Sequence, residues 1–151
     1  MGEPSKMQPS YRNCFVCGKQ NPIGLKVTFY NDERCVWTEF TPGSEHQGYP
    51  GIMHGGILYA LLDETIGRAA FLRDMWVVTA RMEVRYRRPV PIGSRLRVEG
   101  TIVRARGRAL EASGRALLAD GTVAAEASGL FMELPAAQRQ VLAEVVFEQP
   151  S

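Results

Sequence analysis

Between Gly48 and Gly67 the chain reads GYPGIMHGGILYALLDETIG, a glycine-bearing turn that runs into an apolar segment carrying two adjacent acids, Asp63 and Glu64. From Ile57 to Leu72 apolar residues fall on nearly every face of a helix, which predicts an enclosed helix. A carboxylate in such a place is costly unless it is paired or has a task. Asp63 is therefore the first candidate for a nucleophile or general base, with Glu64 beside it as a second or as an ordinary solvent-facing residue.

His54, Gly55 and Gly56 stand where that helix begins. The first backbone N–H groups of a helix have no partner within it, and the helix dipole adds positive potential at the same point, so a negative oxygen can bind there. Two glycines let a substrate carbonyl approach the backbone with no Cβ in the way. The chemistry would be that of an oxyanion hole, with His54 supporting the loop; the plainer reading is that the glycines only permit tight packing. Asp63 follows Gly56 by about 10 Å along the helix axis at 1.5 Å per residue. That is too far for one copy to place both groups on one carbonyl, and a second subunit would close the gap.

The elements that must hold these residues can be read along the chain. Leu25, Val27 and Phe29 alternate with polar neighbours, Asn31-Asp32 turns the chain, and Cys35 to Phe40 alternates again, which predicts a hairpin. After the helix, Val77 to Arg88 reads as a long strand with one wet face. Leu96, Val98, Gly100, Ile102 and Val103 give another, Arg106-Gly107 turns, and Leu110 to Leu118 gives a third. Asp120-Gly121 is a strong hairpin signal before a last strand from Val123 to Glu133. Pro135 opens a short helix with Val141, Leu142, Val145 and Val146 as its apolar stripe. Two strands, one long helix and four antiparallel strands make an α+β layout in which one curved sheet wraps one helix. Such a sheet has an edge to protect, and pairing with a second copy is the expected solution.

At 151 residues and 45% hydrophobic content, the chain has the size and composition of one domain. The expected division is a flexible segment over 1–13, the domain over 14–134 and a helical tail over 135–151. There is no apolar run near the length of a membrane span, and Met1 to Ser10 has no apolar signal core, so no membrane association and a cytoplasmic location are expected. Lys6 stands where a myristoylation signal has serine or threonine. Three cysteines, an odd number, argue against a disulfide scaffold. Cys14 and Cys17 form a single Cys-x-x-Cys that lacks the second pair of ligands of a structural zinc site, so no metal and no cofactor are expected.

The net charge of +2 conceals nine arginines between Arg81 and Arg108, against only Glu83 and Glu99. Tyr86 is the one aromatic residue of that strip, which leaves almost no stacking platform for nucleic acid. A phosphate-bearing small ligand fits better, with Arg85, Arg87, Arg88, Arg104 and Arg106 as candidates and the other arginines as solvated strand faces.

With these elements placed, the chain resembles the hot-dog fold thioesterases, and among them the single-domain acyl-CoA thioesterases of the phenylacetate-pathway type, over roughly Cys14 to Leu134. The most specific match is His54-Gly55-Gly56 followed by an acid nine residues after the histidine, Asp63. The resemblance implies that Asp63 acts as nucleophile or general base and that the Gly55 N–H polarises the thioester carbonyl. It also implies that the two groups come from different subunits of a homodimer or of a tetramer built from two dimers. A hydroxyl residue near the attacking water is implied on the strand after the helix, where the matching position is Thr79. Many relatives carry Asn or Gln where this chain has Gly48, so Gln47 or His46 would substitute or the contact is lost. The implied activity is hydrolysis of a small-molecule acyl-CoA to free acid and CoA. The alternatives are a non-catalytic acyl-CoA binder and a hydroxyacyl-thioester dehydratase. For the dehydratase His46 would be the loop histidine, but the position of its second catalytic group is Ala60.

Overall fold

The computed structural model describes residues 5–144 and 147–148. In chain order the elements are β1 (Lys6–Met7), β2 (Ser10–Tyr11), β3 (Tyr30–Asn31), β4 (Cys35–Phe40), α1 (Gly55–Gly67), β5 (Val77–Tyr86), β6 (Leu96–Arg106), β7 (Ala109–Leu118), β8 (Val123–Glu133), α2 (Ala136–Glu144) and β9 (Phe147–Glu148). Seven strands form one antiparallel sheet in the order β1-β3-β4-β6-β7-β8-β5, and β2 pairs with β9 apart from it. This is the expected hot-dog arrangement of one antiparallel sheet and one long helix. The turns fall where glycine can supply a positive φ: Gly107 at 58° between β6 and β7, and Gly121 at 86° between β7 and β8.

α1 lies on the sheet through Leu58, Leu61, Leu62, Thr65 and Ile66, all buried. They meet Leu96, Val98, Leu110, Ala112, Ala116 and Phe131 from the strands in one core, where each large apolar side chain contributes about 1.5–3 kcal/mol. Two glycines set how close the helix comes. Gly100 of β6 and Gly114 of β7 are cross-strand partners. A Cβ on Gly100 would sit 3.0 Å from Ile66 Cα, and one on Gly114 would sit 2.8 Å from Ile66 Cγ1 and 2.2 Å from Glu99 O. The helix is not enclosed all round, since Gly55, Gly56 and Tyr59 in its first turns are exposed. Beyond Gly67 the chain tightens into a 3-10 segment, Arg68–Arg73, and Asp74 at φ 52° ends it.

Three expectations change. Leu25, Val27 and Phe29 are buried as their alternation predicts, yet only Tyr30–Asn31 joins the ladder. Lys26 takes φ 55°, which breaks the extended run, and the N–H groups of Leu25 and Val27 donate instead to Phe15 O and Val16 O. Within the segment expected to be flexible, Lys6–Met7 pair with β3 and Ser10–Tyr11 with β9, and Gln8 and Ser10 are buried. Of the apolar stripe expected in the tail, Val141 is exposed, Leu142 lines a cavity, and Val145 and Val146 lie outside the described residues.

β5 ends the sheet. It pairs with β8 on one side and with nothing on the other among the described residues, and it is exposed at Val78 and Tyr86. Its register slips between Thr79 and Arg81, a bulge that re-aims side chains at this point. Among the described residues no helix is long and apolar enough to cross a membrane.

Candidate functional site

His54 is the N-cap of α1, with an extended backbone at φ −62° and ψ 131°, and its Nδ1 accepts the Gly56 N–H at 2.9 Å. Its carbonyl accepts the N–H groups of Ile57 and Leu58, and its own N–H donates to His46 O. Of the first-turn donors this leaves the Gly55 N–H without an acceptor among the described residues. The two glycines therefore have different duties. A Cβ on Gly56 would lie 3.0 Å from His54 Nδ1 and disturb the cap, whereas one on Gly55 would meet the Tyr86 ring at an ordinary 3.5 Å. Tyr86 fixes this turn from β5, its hydroxyl donating to Gly55 O at 2.8 Å.

Two turns further along α1, Asp63 Oδ1 accepts a hydrogen bond from Thr79 Oγ1 at 2.7 Å. The bulge in β5 is beside Thr79, and Asp63 is half-buried. Both line a cavity of about 370 Å³ whose other walls include Phe71, Trp76, Val77, Phe131, Leu134 and Leu142. A carboxylate on a hydroxyl at the wall of an apolar cavity can activate water or attack a carbonyl held there.

Glu64 borders the same cavity, but its two oxygens are engaged elsewhere. Oε1 accepts from Cys14 Sγ at 2.9 Å and Oε2 from Arg68 Nε at 3.3 Å. Burial pushes its carboxyl up to about 7, against the opposing pull of the Arg68 guanidinium. Arg68 is a residue the sequence reading missed. It is buried, lies 4.3 Å from the centre of the Phe29 ring, and donates to Gln8, Pro9, Cys17 and Glu64. The available signal was the spacing of Glu64 and Arg68, which puts opposite charges one helical turn apart.

The remaining candidates divide. Gln47 Oε1 accepts the Gly51 N–H at 2.9 Å and His46 Nδ1 the Gly43 N–H at 2.9 Å, so both side chains brace the loop that carries His54. Arg85, Arg87 and Arg88 lie at the end of β5 that carries Tyr86. Arg104 and Arg106 lie at the far end of β6, in register through β7 and β8 with the Thr79 end of β5. Three of the five are paired: Arg85 with Glu83, Arg87 with Glu126 and Arg104 with Glu111. Arg88 and Arg106 have no ion pair among the described residues.

Comparison with known proteins adds to this geometry. Residues 50–125 match the thioesterase superfamily. Acyl-coenzyme A thioesterase THEM5 of Homo sapiens is 34% identical over 96 residues, which cover 63% of this chain and 39% of that protein. The chain thus spans well under half the length of this relative. A crystal structure of a thioesterase superfamily protein superposes with a TM-score of 0.76 at 31% identity, covering 81% of this chain and 61% of that one. The Escherichia coli PaaI protein, from the phenylacetic acid degradation operon, superposes with a TM-score of 0.68 at 14% identity, covering 74% of this chain and 81% of that one, a likeness of fold.

Proposed function

The chain belongs to the thioesterase superfamily, and from that premise we propose that it hydrolyses an acyl-CoA thioester to the free acid and CoA. One observation carries the reading: the carboxylate of Asp63 held by the Thr79 hydroxyl at 2.7 Å on the wall of an apolar cavity of about 370 Å³. Asp63 either deprotonates a water or attacks the thioester carbonyl itself, and the Thr79 bond to Oδ1 leaves Oδ2 for that step. The Gly55 N–H, free at the positive end of α1, donates to the developing oxyanion. His54 and Gly56 serve it indirectly by holding the first turn in shape. Arg88 and Arg106 are the arginines best placed to meet the nucleotide phosphates, having no ion pair to give up among the described residues.

Gly55 and Asp63 stand at opposite ends of the open face of α1, so the reading requires two copies. Tyr86 is bonded to Gly55, Thr79 to Asp63, and Tyr59 to Met82 O midway between them. A two-fold axis beside Tyr59 and Met82 would run the two α1 helices antiparallel and set the bare edge of β5 against its copy. The partner's Gly55 would then face Asp63, and the edge would be covered. This homodimer is the smallest complete unit, and a tetramer would contain two of them.

The test is release of free thiol from phenylacetyl-, benzoyl-, short-chain and long-chain acyl-CoAs, comparing the parent with Asp63→Asn. Turnover that is nearly abolished in the variant, with its fold intact, is the expected result. Equal rates in the two proteins overturn the assignment of Asp63, and absence of hydrolysis with acyl-CoA still bound converts the reading to a binding protein.

A further inference from the structure

The reaction described above makes no use of the Cys-x-x-Cys. We propose that Cys14 and Cys17 are a reactive dithiol that peroxide oxidises to an intramolecular disulfide, and that this oxidation rearranges the Glu64–Arg68 wall of the cavity. The dithiol stands on its own geometry; only the consequence for the cavity rests on the thioesterase reading.

The two sulfurs are held by a tight turn. Gly18 N–H donates to Cys14 O at 2.9 Å and Cys17 N–H to Cys14 Sγ at 3.5 Å. A Cβ at Gly18 would lie 2.4 Å from Arg12 O and 2.5 Å from Cys14 N, so the turn admits only glycine there. The Cys14 and Cys17 sulfurs and a Glu64 oxygen all lie within 4.8 Å of one another, so the two sulfurs are already neighbours in the folded chain. Each sulfur has a charged neighbour. Cys14 donates to Glu64 Oε1 at 2.9 Å, and Arg68 Nη2 donates to Cys17 Sγ at 3.1 Å. Arg68 is also held from behind by Gln8 Oε1 and Pro9 O.

The roles of the two thiols differ. Cys14 is half-buried and Cys17 fully buried. Hydrogen bonding from Cys17 draws the Cys14 thiol down to about 5 despite burial, while the same contact together with burial pushes Cys17 up. With its proton passed to Glu64 Oε1, on a carboxyl that burial holds high, Cys14 is the attacking thiolate and the fully buried Cys17 the resolving thiol. The Cys14 thiolate attacks one peroxide oxygen, the O–O bond breaks, and a proton converts the departing hydroxide to water, leaving a sulfenic acid. The Cys17 sulfur then attacks the Cys14 sulfur, losing its proton and displacing the sulfenic hydroxyl as a second water. Two thiols and one peroxide give one disulfide and two waters. A metal fits less well, because Arg68 already donates to Cys17 and Glu64 where a cation would bind, and the cluster offers three donors among the described residues where a structural zinc takes four.

Oxidation removes the hydrogen bond that Cys14 Sγ shares with Glu64 and alters the sulfur that Arg68 donates to, and both residues border the cavity. The experiment uses the full chain, reduced and then exposed to stoichiometric hydrogen peroxide. Expected are loss of the mass of two hydrogen atoms, a Cys14–Cys17 cross-link in the peptide map, the same cross-link in Cys35→Ser, and a dimedone-trapped sulfenic acid at Cys14 in Cys17→Ser. These readouts require no thioesterase activity. Hydrolysis is expected to fall about two- to tenfold on oxidation, the factor that one lost hydrogen bond is worth, to recover on reduction, and to be insensitive in Cys14→Ser. Both thiols remaining fully alkylatable after peroxide overturns the dithiol. So does stoichiometric zinc in the purified protein that is lost in Cys14→Ser. Disulfide formation with unaltered hydrolysis overturns the link to the cavity.

Discussion

Gly55→Pro isolates one backbone N–H. Gly55 is the first residue of α1, the helical position where proline is most at home because its N–H would bond nothing inside the helix. The preceding residue, His54, already has the extended backbone that a following proline requires, φ −62° and ψ 131°. The carbonyl that accepts from Tyr86 remains, and a Cβ at this position meets the Tyr86 ring at 3.5 Å without overlap. The substitution thus deletes the Gly55 N–H and nearly nothing else, and the stiffer unfolded chain contributes about 0.4–1 kcal/mol toward stability. If that N–H donates to the oxyanion, its loss costs about 2.7–4 kcal/mol, a fall of roughly a hundred- to a thousandfold in kcat. Thiol release from the best acyl-CoA, with a thermal melt of the same preparation, reads both quantities. Gly55→Ala, which keeps the donor, should stay near the parent rate. Mixing inactive Asp63→Asn with inactive Gly55→Pro should restore turnover if the two groups meet across a dimer, because each mixed dimer then has one site with both native groups. A kcat for Gly55→Pro within threefold of the parent, at a Tm no lower than the parent's, would refute the oxyanion role.

The remaining predictions concern the partner of Asp63, the seat of the helix and the thiols. Thr79→Val keeps the shape and removes the donor to Asp63 Oδ1; a hydrogen bond to a charged group is worth about 1.5–3 kcal/mol, so kcat should fall roughly ten- to hundredfold and Thr79→Ser should restore it. An equal rate in Thr79→Val would assign the hydroxyl a packing role only. Gly114→Ala places a Cβ 2.2 Å from Glu99 O under Ile66, an overpacking of about 1–3 kcal/mol, and should lower Tm by roughly 2–12 °C. A melt within 1 °C of the parent, about a quarter of a kcal/mol for a chain of this length, would show that the sheet gives way freely. Because the thiolate is the reactive form, alkylation of Cys14 by iodoacetamide should reach half its plateau well below the pH an ordinary thiol needs, whereas Cys35, raised by burial, should need alkaline pH. Identical pH profiles for the two cysteines would contradict the assigned environment.

What the sequence made legible is what local chemistry decides. Asp120-Gly121 and Arg106-Gly107 turn the chain because glycine takes φ 86° and 58° there, and the strands on either side follow from alternation alone. The His54-Gly55-Gly56 run could be read as a helix start, and Asp63 as an acid on that helix, because both statements concern one segment. Thr79 came from family likeness rather than from pattern, since nothing in an exposed threonine of a strand marks it. Illegible were the contacts that depend on distant residues. The Cys14–Glu64 and Cys17–Arg68 bonds join positions 50 and 51 residues apart, so a Cys-x-x-Cys judged for metal by its own spacing lacked the two charged groups that define its chemistry. Gly100 reads as an ordinary member of a strand until Ile66 is seen lying on it. The division of labour between Gly55 and Gly56 is the finest case. Both are glycines at one helix start, and only the direction of the His54 ring decides which N–H is consumed by the cap and which is left over for a ligand.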